Sequence, residues 1–112
     1  MNADLNHVTL TGTLERDPIT RFQDTGTPQV SFTLRVDEAG PAGRLCTLFV
    51  PVGAYGQAGE LAGELHAGEP VLVAGKLKWT SGTDKQGQKR TSLCVLARLV
   101  KRLAPAAVAA AG

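Results

Sequence analysis

Apolar residues recur at every second position along most of this chain, and that period commits it to β-strands. From Asn6 to Leu14, Val8, Leu10, Gly12 and Leu14 share one face while His7, Thr9, Thr11 and Thr13 share the other. Successive strand side chains point to opposite sides, so this pattern gives one core face and one polar face. Asp17-Pro18 stops the strand, because proline brings no N–H to a ladder. Asp24-Thr25-Gly26-Thr27-Pro28 reads as a turn. Val30, Phe32, Leu34 and Val36 define a second strand, with Phe32 in the core and Ser31, Thr33 and Arg35 on the other face. Glu38–Arg44, rich in Gly and Pro, is a loop. A third strand from about Leu45 to Val52 places Leu48, Val50 and Val52 inward and turns Phe49 to the opposite face.

One segment has helical spacing instead. Across Gln57–Ala67, Leu61 and Leu65 are four apart and Ala58 and Ala62 join them on one side, with Gly68 placed as a left-handed stop. A fourth strand (Pro70–Thr80) follows, with Val71, Val73 and Leu77 inward, then a turn through Thr83–Gln88. A fifth runs from Lys89 through Leu93, Val95 and Leu99. The reading is all-β. Three strands, a short helix between strands three and four, and two more strands joined by a long hairpin is the order of a five-stranded OB-fold Greek-key barrel. It occupies residues 1–103, and the Ala-rich run 104–112 is expected to be a disordered end.

A chain of 112 residues supports a single core. Its first residues lack the basic start and apolar run of a secretory signal, and no stretch is long and apolar enough for a membrane span, so a cytoplasmic protein with no membrane association is expected. Cys46 and Cys94 lie far apart in apolar segments and are expected to be buried free thiols. With His7 and His66 isolated, no metal or other cofactor is implied. No Ser/His/Asp or Cys/His set and no phosphate loop is present, which argues against an enzyme.

The charge is polarised. Residues 76–102 carry eight Lys/Arg against one acid, Asp84, whereas residues 1–75 carry four Lys/Arg against nine Asp/Glu. The basic stretch is the fourth-to-fifth-strand hairpin, and it holds the only tryptophan, Trp79. A cationic ribbon bearing an aromatic suits a polyanion whose bases can stack, which points to single-stranded nucleic acid.

The ordered motifs are more specific. Asn6-x-Val8-x-Leu10-x-Gly12-x-Leu14-x-x-Asp17-Pro18-x-x-Arg21-Phe22, then Gly26-Thr27-Pro28 and Ser31-Phe32-x-Leu34, resemble the opening of bacterial single-stranded DNA-binding proteins. Val50-x-Val52-x-x-Tyr55-Gly56, Gly68-x-x-Val71-x-Val73-x-Gly75-x-Leu77 and Thr83-Asp84-Lys85-x-Gly87-Gln88-Lys89-Arg90-Thr91 continue the likeness, over about residues 5–103. The resemblance implies an OB-fold that coats single-stranded DNA in replication, recombination and repair. It also implies a homo-oligomer, with a tetramer favoured and a dimer the alternative, and no catalysis. Phe49 and Tyr55 stand at positions of the family's stacking aromatics. The family's fourth-strand aromatic aligns with Gly82, and its aromatic in the loop after strand two has no counterpart among Asp37–Arg44. The acidic tail by which relatives recruit partner enzymes has no match in Ala104–Gly112, which leaves two alternatives, a truncated chain or a protein without that recruiting function, and makes such recruitment doubtful.

The resulting DNA-binding candidates are Arg35, Phe49, Tyr55, Lys76, Lys78, Trp79, Lys85, Lys89 and Arg90. Lysine and arginine would neutralise phosphates, and aromatic faces would stack on any base. Lys76 and Lys78 flank Leu77 and point together. Lys85, Lys89 and Arg90 suit either phosphate contact or a solvated hairpin tip. Parity puts Trp79 with Leu77 and Val73, packed at the hairpin base, unless a bulge at Ser81-Gly82 or an arm clear of the barrel frees it. Phe22 is divided between rim contact and packing. The runner-up reading is a relative of primosomal protein N, a dimeric OB-fold of replication restart that binds single strands and a helicase. An OB module that binds protein, its charge serving solubility, is the reading from a different class.

Overall fold

The computed structural model describes residues 3–22 and 26–103, so the expectations for 104–112 and for the start of the turn at Asp24-Thr25 lie outside the described residues. Its strands are β1 (Val8–Leu14), β2 (Ile19–Phe22), β3 (Pro28–Ala39), β4 (Leu45–Tyr55), β5 (Pro70–Thr83) and β6 (Lys89–Arg102), with an α-helix, α1 (Gln57–Gly63), between β4 and β5 and a short 3-10 turn, Pro41–Gly43, between β3 and β4. Hydrogen bonds link the strands in the order β1-β5-β6-β4-β3-β2, and β1 pairs also with β3. Five strands therefore close into a ring, and β2 lies along the part of the β3 edge that β1 leaves open. Every pairing is antiparallel except β4 with β6, which run parallel where Val52, Gly53 and Ala54 meet Val95, Leu96 and Ala97. This is the OB-fold connectivity.

The alternation read in the sequence builds the interior. Leu14, Val30, Phe32, Leu34, Val52, Val71, Val73 and Val95 point inward and are buried. Ala58 and Ala62 of α1, with Leu65 just beyond it, close one end of the barrel. Two glycines let strands approach: a Cβ on Gly12 would overlap the Arg35 carbonyl oxygen where β1 meets β3, and one on Gly75 would overlap that of Leu96. Asp17 Oδ1 accepts from the Ala67 N–H at 2.8 Å, and Arg102 donates to the Glu64 carbonyl at 2.9 Å while pairing with Glu69 at 3.1 Å. These interactions lock the ends of β1 and β6 onto the α1–β5 connection.

The structure departs from the sequence expectations at identifiable places. Leu48, Leu77 and Leu93 have inward parity yet are about half exposed. The β3–β4 and β5–β6 hairpins run past the barrel as two-stranded arms, and an arm has no opposing sheet to cover its inner side. Leu99 faces out because Ala74 pairs with Leu99 while Gly75 pairs with Ala97, leaving Arg98 as an extra residue. That bulge reverses the parity and turns Val100 inward. The helix stops at Gly63, short of Ala67: two of its seven residues are glycine, and Gly68 (φ +86°) forms a separate turn whose N–H reaches the Leu14 carbonyl at 2.8 Å. The thiols are not both buried either. Cys46 is exposed on the β4 arm, and Cys94 is half-buried on the outer face of β6.

Candidate nucleic-acid interface

Strand registers assemble one continuous outer surface. Ile19 pairs with Ser31, Ser31 with Gly53, Gly53 with Leu96 and Leu96 with Lys76, so one row crosses β2, β3, β4, β6 and β5. Residues two positions away along each strand share that face. On β4 these are Pro51, Phe49 and Tyr55; on β3, Gln29, Thr33 and Arg35; on β5, Lys78, Thr80 and Gly82. A groove of about 420 Å³ lies across the middle of this face. Its floor includes Ser31, Pro51 and Gly53, and Arg16, Ile19, Thr80 and Cys94 reach it from the two sides.

The two aromatics predicted to stack sit on this surface, Phe49 near the middle of β4 and Tyr55 at its end. Tyr55 is six positions beyond Phe49, which at about 3.3 Å per residue is roughly 20 Å. Phe49 is 57% exposed, so its ring is open to contact from outside the protein. Tyr55 is half-buried beside Gln29. Arg35 lies directly across from Phe49. Its Nε donates to Asp37 Oδ1 at 3.3 Å, and the Thr47 hydroxyl donates to the same oxygen at 2.7 Å. The Thr47 hydrogen bond, helped by Arg35 and opposed by partial desolvation, holds the Asp37 carboxyl below its ordinary range.

Lys76 and Lys78 extend the surface on β5, opposite Leu96 and Cys94. Trp79 does not belong to it. Pairing from Gly75 to Thr83 is regular, with no bulge at Ser81-Gly82, so Trp79 faces the other side of the arm, opposite Leu93. Because the arm stands clear of the barrel, that side is open and Trp79 is 64% exposed. Lys89 shares the parity of Trp79, whereas Arg90 shares that of Lys78.

At the arm's tip Asp84 organises the turn. One carboxylate oxygen accepts from the backbone N–H groups of Gln86 and Gln88 at 2.9 and 2.8 Å, and the other accepts from Arg90 Nε at 2.9 Å. The Gln88 hydrogen bond first, then Arg90, keep the Asp84 carboxyl below its ordinary value. Part of the Arg90 charge is thereby committed inside the turn, and Lys85 and Lys89 remain exposed beside it. Arg16 borders the groove although the sequence pattern did not single it out. The only signal for it was its place just after β1, and β2, at four residues, is too short to show the alternation that would have revealed this rim.

Among the described residues no group of three or more His, Cys, Asp or Glu is arranged to hold a metal ion. No described helix is long and apolar enough to cross a membrane.

The model of the single-strand binding protein family matches residues 5–103. The chain belongs to that family. It is 35% identical over 102 residues to the single-stranded DNA-binding protein of Thermus thermophilus, a match covering 91% of this chain and 39% of that relative. It is 34% identical over 101 residues to the single-stranded DNA-binding protein of Thermotoga maritima, covering 86% of this chain and 72% of the relative. With that of Deinococcus radiodurans it shares 30% identity over 108 residues, 93% of this chain and 36% of the relative. This family member thus spans less than half the length of its Thermus and Deinococcus relatives.

Proposed function

We propose that this chain binds single-stranded DNA without reading its sequence, across the outer face of β2, β3, β4, β6 and β5. The observation that carries the reading is the placing of Phe49 and Tyr55 on one outer face, on either side of the groove residues Pro51 and Gly53, with Arg35, Lys76 and Lys78 on the same face and Arg16 lining the groove. Phosphates along the strand would meet these cations and release counterions, and exposed bases would lie on the two rings. Double-stranded DNA keeps its bases stacked inside and gives the rings nothing to cover. The work is binding and protection in replication, recombination and repair, not bond-making.

Assembly as a homo-oligomer belongs to the same reading. Leu77, Trp79 and Leu93 form an apolar strip on the side of the arm turned away from the groove, an arrangement suited to another subunit. Native mass spectrometry distinguishes tetramer from dimer. Binding is tested by anisotropy of a labelled oligo(dT) at two salt concentrations. The reading requires tight binding at low salt, a steep loss on adding salt, and a clear preference over duplex of the same length. Absence of binding at low salt would sink it.

A further inference from the structure

The centre of the outer face holds a glycine that the protein's own packing does not call for. Gly53 lies mid-strand in β4, paired on both sides. Glycine there weakens a strand, and β-branched residues are favoured. Gly12 and Gly75 have a visible reason, since a Cβ on either would strike a neighbouring backbone, whereas Gly53, like Gly82 out on the β5 arm, has none. At Gly53 a Cβ would meet nothing nearer than Gln29 Nε2 at 4.0 Å. Its φ is not among the positive values found in the chain. The backbone and the neighbours would both accept a side chain.

What its absence leaves is the groove. Gly53 lines that 420 Å³ recess, between Phe49, four positions before it on the same face of β4, and Tyr55, two after it. Its volume is at the low end of small-molecule sites, which run from about 300 to 1,000 Å³, so it suits one nucleotide and not a stretch of strand. The walls combine apolar Ile19 and Pro51 with the hydroxyls of Ser31, Thr33 and Thr80. Arg16, Asp17 and Gln29 add a cation, a carboxylate and an amide to the lining, and a flat heterocycle with polar edges fits such walls.

We infer that the recess over Gly53 is a subsite for a single nucleobase, inserted between the bases stacked on Phe49 and Tyr55, and that Gly53 keeps it open. The inference rests on the DNA-binding reading and adds to it one base held by enclosure as well as two held by stacking. A side chain at position 53 would fill the space that the base needs.

The test is Gly53→Val, with Gly53→Ser as a second, smaller filling, measured with oligo(dT) just long enough to cross one subunit. Thermal unfolding of each variant should match or exceed that of the unsubstituted protein, since neither side chain meets an obstacle. Affinity should fall about tenfold for Val, corresponding to about 1.4 kcal/mol, and less for Ser. An oligonucleotide with one abasic position, moved along its length, should lose affinity on the unsubstituted protein at one central position beyond the losses due to stacking. That extra loss should vanish on Gly53→Val. Unchanged affinity in a stably folded Gly53→Val, or an abasic profile the variant leaves intact, would overturn the subsite while leaving DNA binding in place. Should Gly53→Val unfold, the abasic profile of the unsubstituted protein decides alone, and a profile without a central extra loss refutes the subsite. Failure of the unsubstituted protein to bind any oligo(dT) would instead remove the underlying reading.

Discussion

Gly82→Trp should strengthen single-stranded DNA binding, and Ser81→Trp, one residue away, should not. Gly82 has the parity of Lys76 and Lys78 and faces the groove side of the arm opposite Arg90, whereas Ser81 faces the Trp79 side opposite Thr91. A Cβ at Gly82 has open space around it, with nothing within 4 Å. The new indole therefore displaces nothing, and replacing glycine in a strand favours the fold slightly. One additional stacked base contributes about 1–3 kcal/mol, and about 1.4 kcal/mol is a factor of ten. The expected gain is about fivefold at the exposed end of that range and about a hundredfold if the ring is well covered. Anisotropy with labelled oligo(dT) reads the affinity, and in a Trp79→Phe background the fluorescence of the new indole reports stacking directly, quenching on addition of DNA. Equal gains from the two variants would mean that charge and aromatic content matter and the face does not. No gain from Gly82→Trp, with the fold intact, would mean that DNA does not follow β5 beyond Thr80, and the proposed path would be wrong.

Further outcomes follow from the same geometry. Phe49→Ala should weaken oligo(dT) binding by about 1–3 kcal/mol with little loss of stability, because the ring is mostly exposed. Phe32→Ala, removing a ring only 6% exposed, should destabilise by about 3–5 kcal/mol in chemical denaturation. Lys76→Ala with Lys78→Ala should flatten the dependence of log affinity on log salt by about 0.7 for each phosphate that is no longer neutralised. Lowering the pH should loosen the arm's tip. The Asp84 carboxyl titrates lower in the fold than in the unfolded chain, where it keeps the ordinary value of 3.8. Its contribution is complete above that unfolded value and is lost as pH falls through the lower folded one. Hydrogen exchange at the Gln86 and Gln88 amides should show this, and Asp84→Asn should reduce the protection at neutral pH.

The barrel was legible because five strands alternate cleanly and each inward set is needed for one core. What the sequence hid is where that core ends. Alternation continues through Leu77 and Leu93 into the arms, and nothing in the residues marks the point at which an inward side chain loses the sheet opposite it. The bulge at Arg98 was equally invisible, since one unpaired residue leaves no compositional trace, and Leu99 consequently faces out. Phe49 was placed correctly on the outer face because its register follows from buried Val52. Trp79 was harder: its face followed from parity, but its exposure depends on how far the arm extends. The groove over Gly53 could not be foreseen at all, as it arises from side chains on strands brought together only by barrel closure.

The two sides of the β5–β6 arm are distinguished by nothing except odd and even positions. Adding or deleting one β5 residue between Gly75 and Trp79 would turn Trp79 over to the groove side and Lys78 to the apolar side, while Leu93 on β6, held by buried Val95, kept its face. Such an arm can change length in steps of two residues, or of one matched by a bulge, as at Arg98. Length variation in this hairpin is therefore quantised by the need to keep two different surfaces apart.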